Sequence, residues 1–177
     1  MKTKLYAILI ASTCLSIGSM NTTAREKTFG YRWNMHSTET FANAVIDSTE
    51  NDTSVEFGVR FEEKGKMGTL VPVYQLNKQG AEVTASIRYK TLNCERAYIT
   101  LNSIGAGEQV LKSDTIELPL TEEWKEVSKK VKIKDTYLLN VFIEAVGSEL
   151  AFNNIQVNAF KLEANGTQLK NETAPKS

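Results

Sequence analysis

Apolar and polar residues alternate through most of this chain. In "SVEFGVRFE" Val55, Phe57, Val59 and Phe61 fall on one side and Glu56, Gly58 and Arg60 on the other, the period of a strand with one buried face. "AEVTASIRYKT" sets Val83, Ala85, Ile87 and Tyr89 against Thr84, Ser86, Arg88 and Lys90, and "AYITLNSIG" sets Ile99 and Leu101 against Tyr98, Thr100 and Asn102. In "YLLNVFIEAVG" Leu139, Val141, Ile143 and Ala145 align, and "GTLVPVYQLN", "QVLKSDTIELP" and "ELAFNNIQVNAFKLE" read as further strands. Pro72 cannot donate to a ladder, so its strand is expected at an edge or to carry a bulge.

One stretch, "TEEWKEVSKKVKI", fits two periods. Trp124, Val127 and Val131 recur as on a helix capped by Thr121, whereas Val127, Val131 and Ile133 alternate with lysines as on a strand. A helix would place Val131 and Ile133 on different faces, with no second helix to pack against. The pattern therefore predicts a strand over about 127–134, with Trp124 at its entrance. Eight or nine strands separated by Gly, Asn and Asp turns predict an all-β fold, a jelly-roll β-sandwich of two antiparallel sheets.

The N-terminus changes the domain picture. Lys2 and Lys4 precede an apolar run from Leu5 to Ile17, and Thr22-Thr23-Ala24 ends in a small residue, so residues 1–24 read as an export signal. The run is about 13 residues, short of the ~20 that cross a bilayer. Simple cleavage implies a secreted or periplasmic protein. The alternative is a lipoprotein anchored through Cys14, although Thr13 stands where a small Gly or Ala usually precedes the acylated cysteine. The sandwich is expected over 25–164, and the polar "NGTQLKNETAPKS", 165–177, as a tail or linker.

Charge and cysteines narrow the function. Without residues 1–24, which include Lys2 and Lys4, 19 basic side chains face 21 acidic ones, so no electrostatic reason exists to expect nucleic acid as partner. Cys94 is then the sole thiol and cannot form an internal disulfide; it is expected as a small buried side chain beside a strand. His36 is the only histidine, no G-x-S-x-G turn accompanies a serine, and His36 with Cys94 cannot make a zinc site. No cofactor is expected. Calcium needs only loop oxygens, but Asp47, Glu50 and Asp52 lack the spacing of a calcium loop.

What remains is binding. The alternation points Tyr74, Arg88, Tyr98, Thr100 and Asn102 away from the core, where aromatic rings, an arginine and an amide suit a saccharide platform. Trp33 and Trp124 are expected to pack at the sandwich ends.

"VPVYQLNKQGAEVTASIRYKT", "SDTIELPLTEEWKEVSKKVKI" and "LAFNNIQVNAF", over about residues 30–162, resemble the carbohydrate-binding-module-like, galactose-binding-like jelly rolls of secreted bacterial proteins. The resemblance implies that Trp33 and Trp124 are framework residues. Such modules often have an aspartate where this chain has Asn153 or Asn154, and that departure weakens the carry-over of a structural calcium site, which the resemblance leaves open but unsupported. It also implies a non-catalytic exported module that binds glycan or polysaccharide, or serves as accessory to an extracellular enzyme. The alternative is a structural β-sandwich that contacts other surface or extracellular proteins without a small ligand. A hydrolase built on paired carboxylates is the third possibility.

Overall fold

A computed structural model of the chain describes residues 34–48, 53–76, 80–107 and 109–169. The expected export signal with Cys14, and also Trp33, Glu50, Asp52 and residues 170–177, lie outside the described residues. Within them the alternation becomes eleven strands: β1 (Asn34–Ser37), β2 (Phe41–Ser48), β3 (Thr53–Arg60), β4 (Gly65–Gln75), β5 (Gly80–Leu92), β6 (Cys94–Ile104), β7 (Val110–Leu118), β8 (Lys125–Lys134), β9 (Leu138–Gly147), β10 (Phe152–Ala164) and β11 (Thr167–Gln168). The count exceeds the expected eight or nine because β1 and β11 are very short and "FANAVIDS" of β2 lacks a clean alternation.

The strands form two antiparallel sheets, one in the order β1-β4-β9-β6-β7 and the other β2-β3-β10-β5-β8, with β11 paired to β10. From β3 onward the chain changes sheet at every connection except the β6–β7 hairpin and the terminal β10–β11 hairpin. This exchange makes the jelly roll. Each strand turns one set of residues into the space between sheets, as the period-two pattern requires. Val55, Phe57, Val59 and Phe61 of β3, Ile99 and Leu101 of β6, and Leu139, Val141, Ile143 and Ala145 of β9 are all buried there. Burial of each large side chain contributes roughly 1.5–3 kcal/mol. Phe57 meets Phe41 edge-on at 6.4 Å.

The ambiguous segment is strand β8, paired to β5 from Gly80↔Lys134 to Tyr89↔Lys125. Thr121 does not start a helix. Its Oγ1 accepts from Glu123 N at 3.2 Å, closing a local turn, while its backbone N donates to Thr91 Oγ1 at 2.9 Å. The hydroxyl-to-backbone bond that would cap a helix serves a turn equally well. Tyr89, wholly buried, donates its hydroxyl to Pro119 O at 2.6 Å, so its polar end is satisfied inside the sandwich.

Pro72 is accommodated by a bulge: the β4–β9 register runs from Val71↔Val141 to Tyr74↔Leu139, with a shift between. The extra residue inverts the alternation. Met67, Thr69 and Val71 face inward before it, and Tyr74 and Leu76 face inward after it. Tyr74 is therefore a core residue at 4 % exposure, not a member of an outer platform, and burial pushes its hydroxyl pKa up.

Beyond β10, Asn165 and Gly166 take positive φ (50° and 78°) and fold the chain into the short β11. An Asn-Gly pair of this kind is a two-residue hairpin turn. Among the described residues no helix is long and apolar enough to cross a membrane.

Candidate functional site

The outer face of the five-stranded sheet carries a row of side chains that crosses all its strands. His36 of β1 opposes Gly68 of β4, Gly68 opposes Glu144 of β9, Glu144 opposes Tyr98 of β6, and Tyr98 opposes Glu117 of β7. Glu144 lies at its centre. Although it points away from the core, it is only 6 % exposed, because its neighbours close over it. His36 Nε2 lies 3.4 Å and Lys66 Nζ 2.5 Å from Oε1, and Thr100 Oγ1 donates to Oε2 at 3.4 Å.

The charges in this cluster balance. Burial alone would raise the Glu144 pKa, but the contacts from His36 and Lys66 outweigh it and hold the carboxyl below its usual range. Burial pulls Lys66 down, yet Glu144 and then Tyr98 raise it above the ordinary lysine value. Glu144 is thus a fixed carboxylate at neutral pH, not a proton donor. Arg96 pairs with Glu117, and the Arg96 and Lys66 cations lie 5.7 and 5.6 Å from the Tyr98 ring centre. Phe142, two residues before Glu144, meets His36 edge-on at 6.4 Å.

Gly68 makes the cluster possible. A Cβ there would lie 2.8 Å from Ile143 O, 2.9 Å from Glu144 Cγ and 2.9 Å from His36 Cε1. Any side chain would force the carboxylate and the imidazole from their places. Further along the same face, Asn102 Oδ1 accepts from Ser113 Oγ at 2.7 Å, extending the polar surface toward β7.

Of the residues expected to form a platform, Tyr98, Thr100 and Asn102 do share one face. Arg88 does not join them: it stands on β5, on the outer face of the other sheet. Alternation tells in from out but not which sheet a strand joins. His36, Lys66, Phe142 and Glu144 were missed, since cross-strand register joins residues far apart in sequence. The only local signal was Glu144 itself, a carboxylate inside the apolar run "NVFIEAVG".

Trp124 departs from the framework position expected of it. It is 41 % exposed and is not packed as framework at a sandwich end; the Arg88 and Lys90 cations lie 5.4 and 5.2 Å from its ring. His36 lies on the edge strand β1 and takes part in the Glu144 cluster. Cys94 is half-buried, its Sγ 3.4 Å from both Leu92 O and Asn154 O, and burial pushes its pKa up to about 11. The thiol is therefore protonated and unreactive at neutral pH.

Asn153 is wholly buried: Oδ1 accepts from Ser148 N at 2.7 Å, and Nδ2 donates to Ser148 O and Ala151 O at 2.8 Å. With both ends of the amide engaged in the β9–β10 turn, this position does not fit a calcium ligand, and an aspartate could not make the two donations. Among the described residues no three His, Cys, Asp or Glu side chains gather as a metal site.

No protein-family model matches this sequence, and no curated protein matches it. Solved structures do. The chain is similar to the enzymatically active domain of tailspike protein 4 of bacteriophage CBA120, with a TM-score of 0.58, 11 % identity, and coverage of 75 % of this chain but 19 % of that one. It is similar to a family 61 carbohydrate-binding module in complex with β-1,4-galactotriose, with a TM-score of 0.53, 14 % identity, and coverage of 75 % and 88 %. A carbohydrate-binding module of the β-sandwich superfamily, described as promiscuous in specificity, matches with a TM-score of 0.50, 13 % identity, and coverage of 74 % and 56 %. The fold is a carbohydrate-binding-module-like jelly roll. At these identities the likeness establishes the fold alone, and this chain spans about a fifth of the tailspike chain it matches.

Proposed function

We propose that this protein is a non-catalytic, exported glycan-binding module and that neutral saccharide docks on the outer face of the five-stranded sheet. The observation that carries the reading is Glu144: an ionised carboxylate on the solvent side of a sheet, held from β1, β4 and β6 by His36, Lys66 and Thr100. A carboxylate fixed in this way holds His36, Lys66 and Thr100 in place, so that the polar groups reaching solvent meet sugar hydroxyls without reorganising on binding. Tyr98 and Phe142 flank it with aromatic surface, while Thr100 and Asn102 add hydroxyl and amide groups. Because Lys66 is matched by Glu144 and Arg96 by Glu117, the face favours uncharged ligands.

Hydrolysis fits the same residues poorly. A glycosidase needs one carboxyl kept protonated by a raised pKa, and that of Glu144 is lowered. The fold's likeness to carbohydrate-binding modules supports the binding reading, as does the export signal read in residues 1–24.

Affinity electrophoresis through gels containing single neutral polysaccharides (β-1,4-galactan, xylan, mixed-linkage glucan, mannan) tests the proposal. Retardation by at least one, lost in Glu144→Gln and Tyr98→Ala, is the expected result. A null across the panel, or retardation that survives both substitutions, would favour a protein-contact sandwich without a small ligand.

A further inference from the structure

The outer face of the six-stranded sheet is built differently. On its β5 and β8 side, Arg88 and Lys90 of β5 and Lys130, Lys132 and Lys134 of β8 face outward, because their neighbours Ile87, Tyr89, Val83, Ala85 and Ile133 fill the core. Against these five cations stand two carboxylates, Glu82 and Glu126. Lys130 pairs with Glu82 at 2.7 Å, and Arg88 lies 3.9 Å from Glu126. The chain as a whole is neutral, so this surplus is local.

At the head of the stripe lies Trp124, 41 % exposed, with the Arg88 and Lys90 cations over its ring, 5.4 and 5.2 Å from the ring centre. A polar track adjoins it: Lys90 opposes Gln156 of β10, and Gln156 opposes Glu56 of β3. Glu56 Oε1 is held by the amides of Asn43 at 2.8 Å, Gln156 at 3.0 Å and Asn154 at 3.3 Å. Lysines on an edge strand also discourage strand-to-strand aggregation. That role accounts for Lys130, Lys132 and Lys134, but not for an exposed indole flanked by two cations from the neighbouring strand.

We infer that the face from Trp124 to Lys134 binds a linear polyuronate, with one sugar stacked on Trp124 and successive carboxylates met by Arg88, Lys90 and the β8 lysines. Outward side chains on a strand repeat every ~6.6 Å, so Lys130, Lys132 and Lys134 present an evenly spaced row of charge to a polymer with repeating anions. Arg88 offers a planar fork that matches a carboxylate, and a sugar ring stacks on indole through its apolar face. The inference shares with the proposed function the premise of glycan binding, but it uses other residues on the opposite side of the sandwich.

The test is affinity electrophoresis in polygalacturonate, with dextran sulfate, single-stranded DNA and the neutral polysaccharides as parallel arms, for wild type, Arg88→Gln/Lys90→Gln, Trp124→Ala and Tyr98→Ala. All four residues are at the surface, and unchanged melting temperatures confirm folding. The expected result is retardation by polygalacturonate that falls about tenfold in both β5–β8 variants, persists in Tyr98→Ala, and weakens with added salt. Neutral-glycan retardation should be unaffected by Arg88→Gln/Lys90→Gln. Absence of polygalacturonate binding, binding that survives Arg88→Gln/Lys90→Gln, or equal retardation by dextran sulfate and DNA would overturn the inference. If neutral glycans fail to bind while the polyuronate result holds, the five-stranded face loses its role and this one stands.

Discussion

The two outer faces of this sandwich solve opposite electrostatic problems on the same scaffold. On the five-stranded sheet, Glu144 is buried beneath Lys66, His36 and Thr100, with Arg96 matched to Glu117, so charge is neutralised within the face. On the six-stranded sheet, Arg88, Lys90 and the β8 lysines outnumber Glu82 and Glu126, and the adjacent aromatic is exposed. A charge-balanced face offers directional hydrogen bonds to neutral hydroxyls, whereas an unbalanced one attracts anions at longer range and is sensitive to salt. One core carries two surfaces of different charge balance because the alternation isolates each outer face from the other.

The comparison breaks most completely if that core fails. Phe57 is wholly buried and packs on Phe41, so Phe57→Ala should lower unfolding free energy by about 3–5 kcal/mol, measured by urea titration. Both faces should then weaken together. Loss at one face alone would show that the sheets are less interdependent than the shared core implies.

Gly68→Ala separates the faces. Its Cβ meets a backbone carbonyl at 2.8 Å, which cannot rotate aside as a side chain would. A cost of about 1–3 kcal/mol in stability is expected, with binding at the five-stranded face impaired and polyuronate binding retained. Equal binding by both variant faces would mean that the His36–Glu144 contact does not organise the site.

Glu144→Gln has the smallest expected effect on stability, about 1–2 kcal/mol at neutral pH, and sharpens the contrast through pH. Because the folded pKa of Glu144 is lowered, its contribution is present above the ordinary carboxylate range and is lost as pH falls through the folded value. The raised pKa of Lys66 acts in the other direction: its contribution is present below the ordinary lysine value and is lost as pH rises above it. As pH falls from 6 to 2, urea midpoints should therefore decline less steeply in Glu144→Gln than in wild type. Superimposable curves would contradict the role given to the carboxylate.

Much of the fold was legible because period-two alternation is a local property: the inward sets of β3, β5, β6 and β9 are the core residues the pattern marks. It failed where one residue changed the phase. Pro72 signalled a bulge, but the consequence, that Tyr74 turns inward, follows only once the register shift is located. Tyr98, Thr100 and Asn102 were legible as a group because they lie on one strand. Arg88 was misplaced because sheet membership depends on pairing between distant segments. The Glu144 cluster draws on β1, β4, β6 and β9, with side chains up to 108 positions apart in contact (His36 and Glu144), and no local pattern encodes that meeting. Trp124 was expected as framework because a tryptophan before a strand usually packs, yet here two cations of β5 hold it at the surface.

The most direct test of the account is chemical-shift mapping by NMR during titration with whichever neutral oligosaccharide corresponds to a retarding polysaccharide. Perturbations concentrated at Tyr98, Thr100, Asn102, Phe142 and Glu144, with Arg88 and Trp124 unmoved, are the predicted result. Shifts confined to the six-stranded face, or none at saturating sugar, would contradict it.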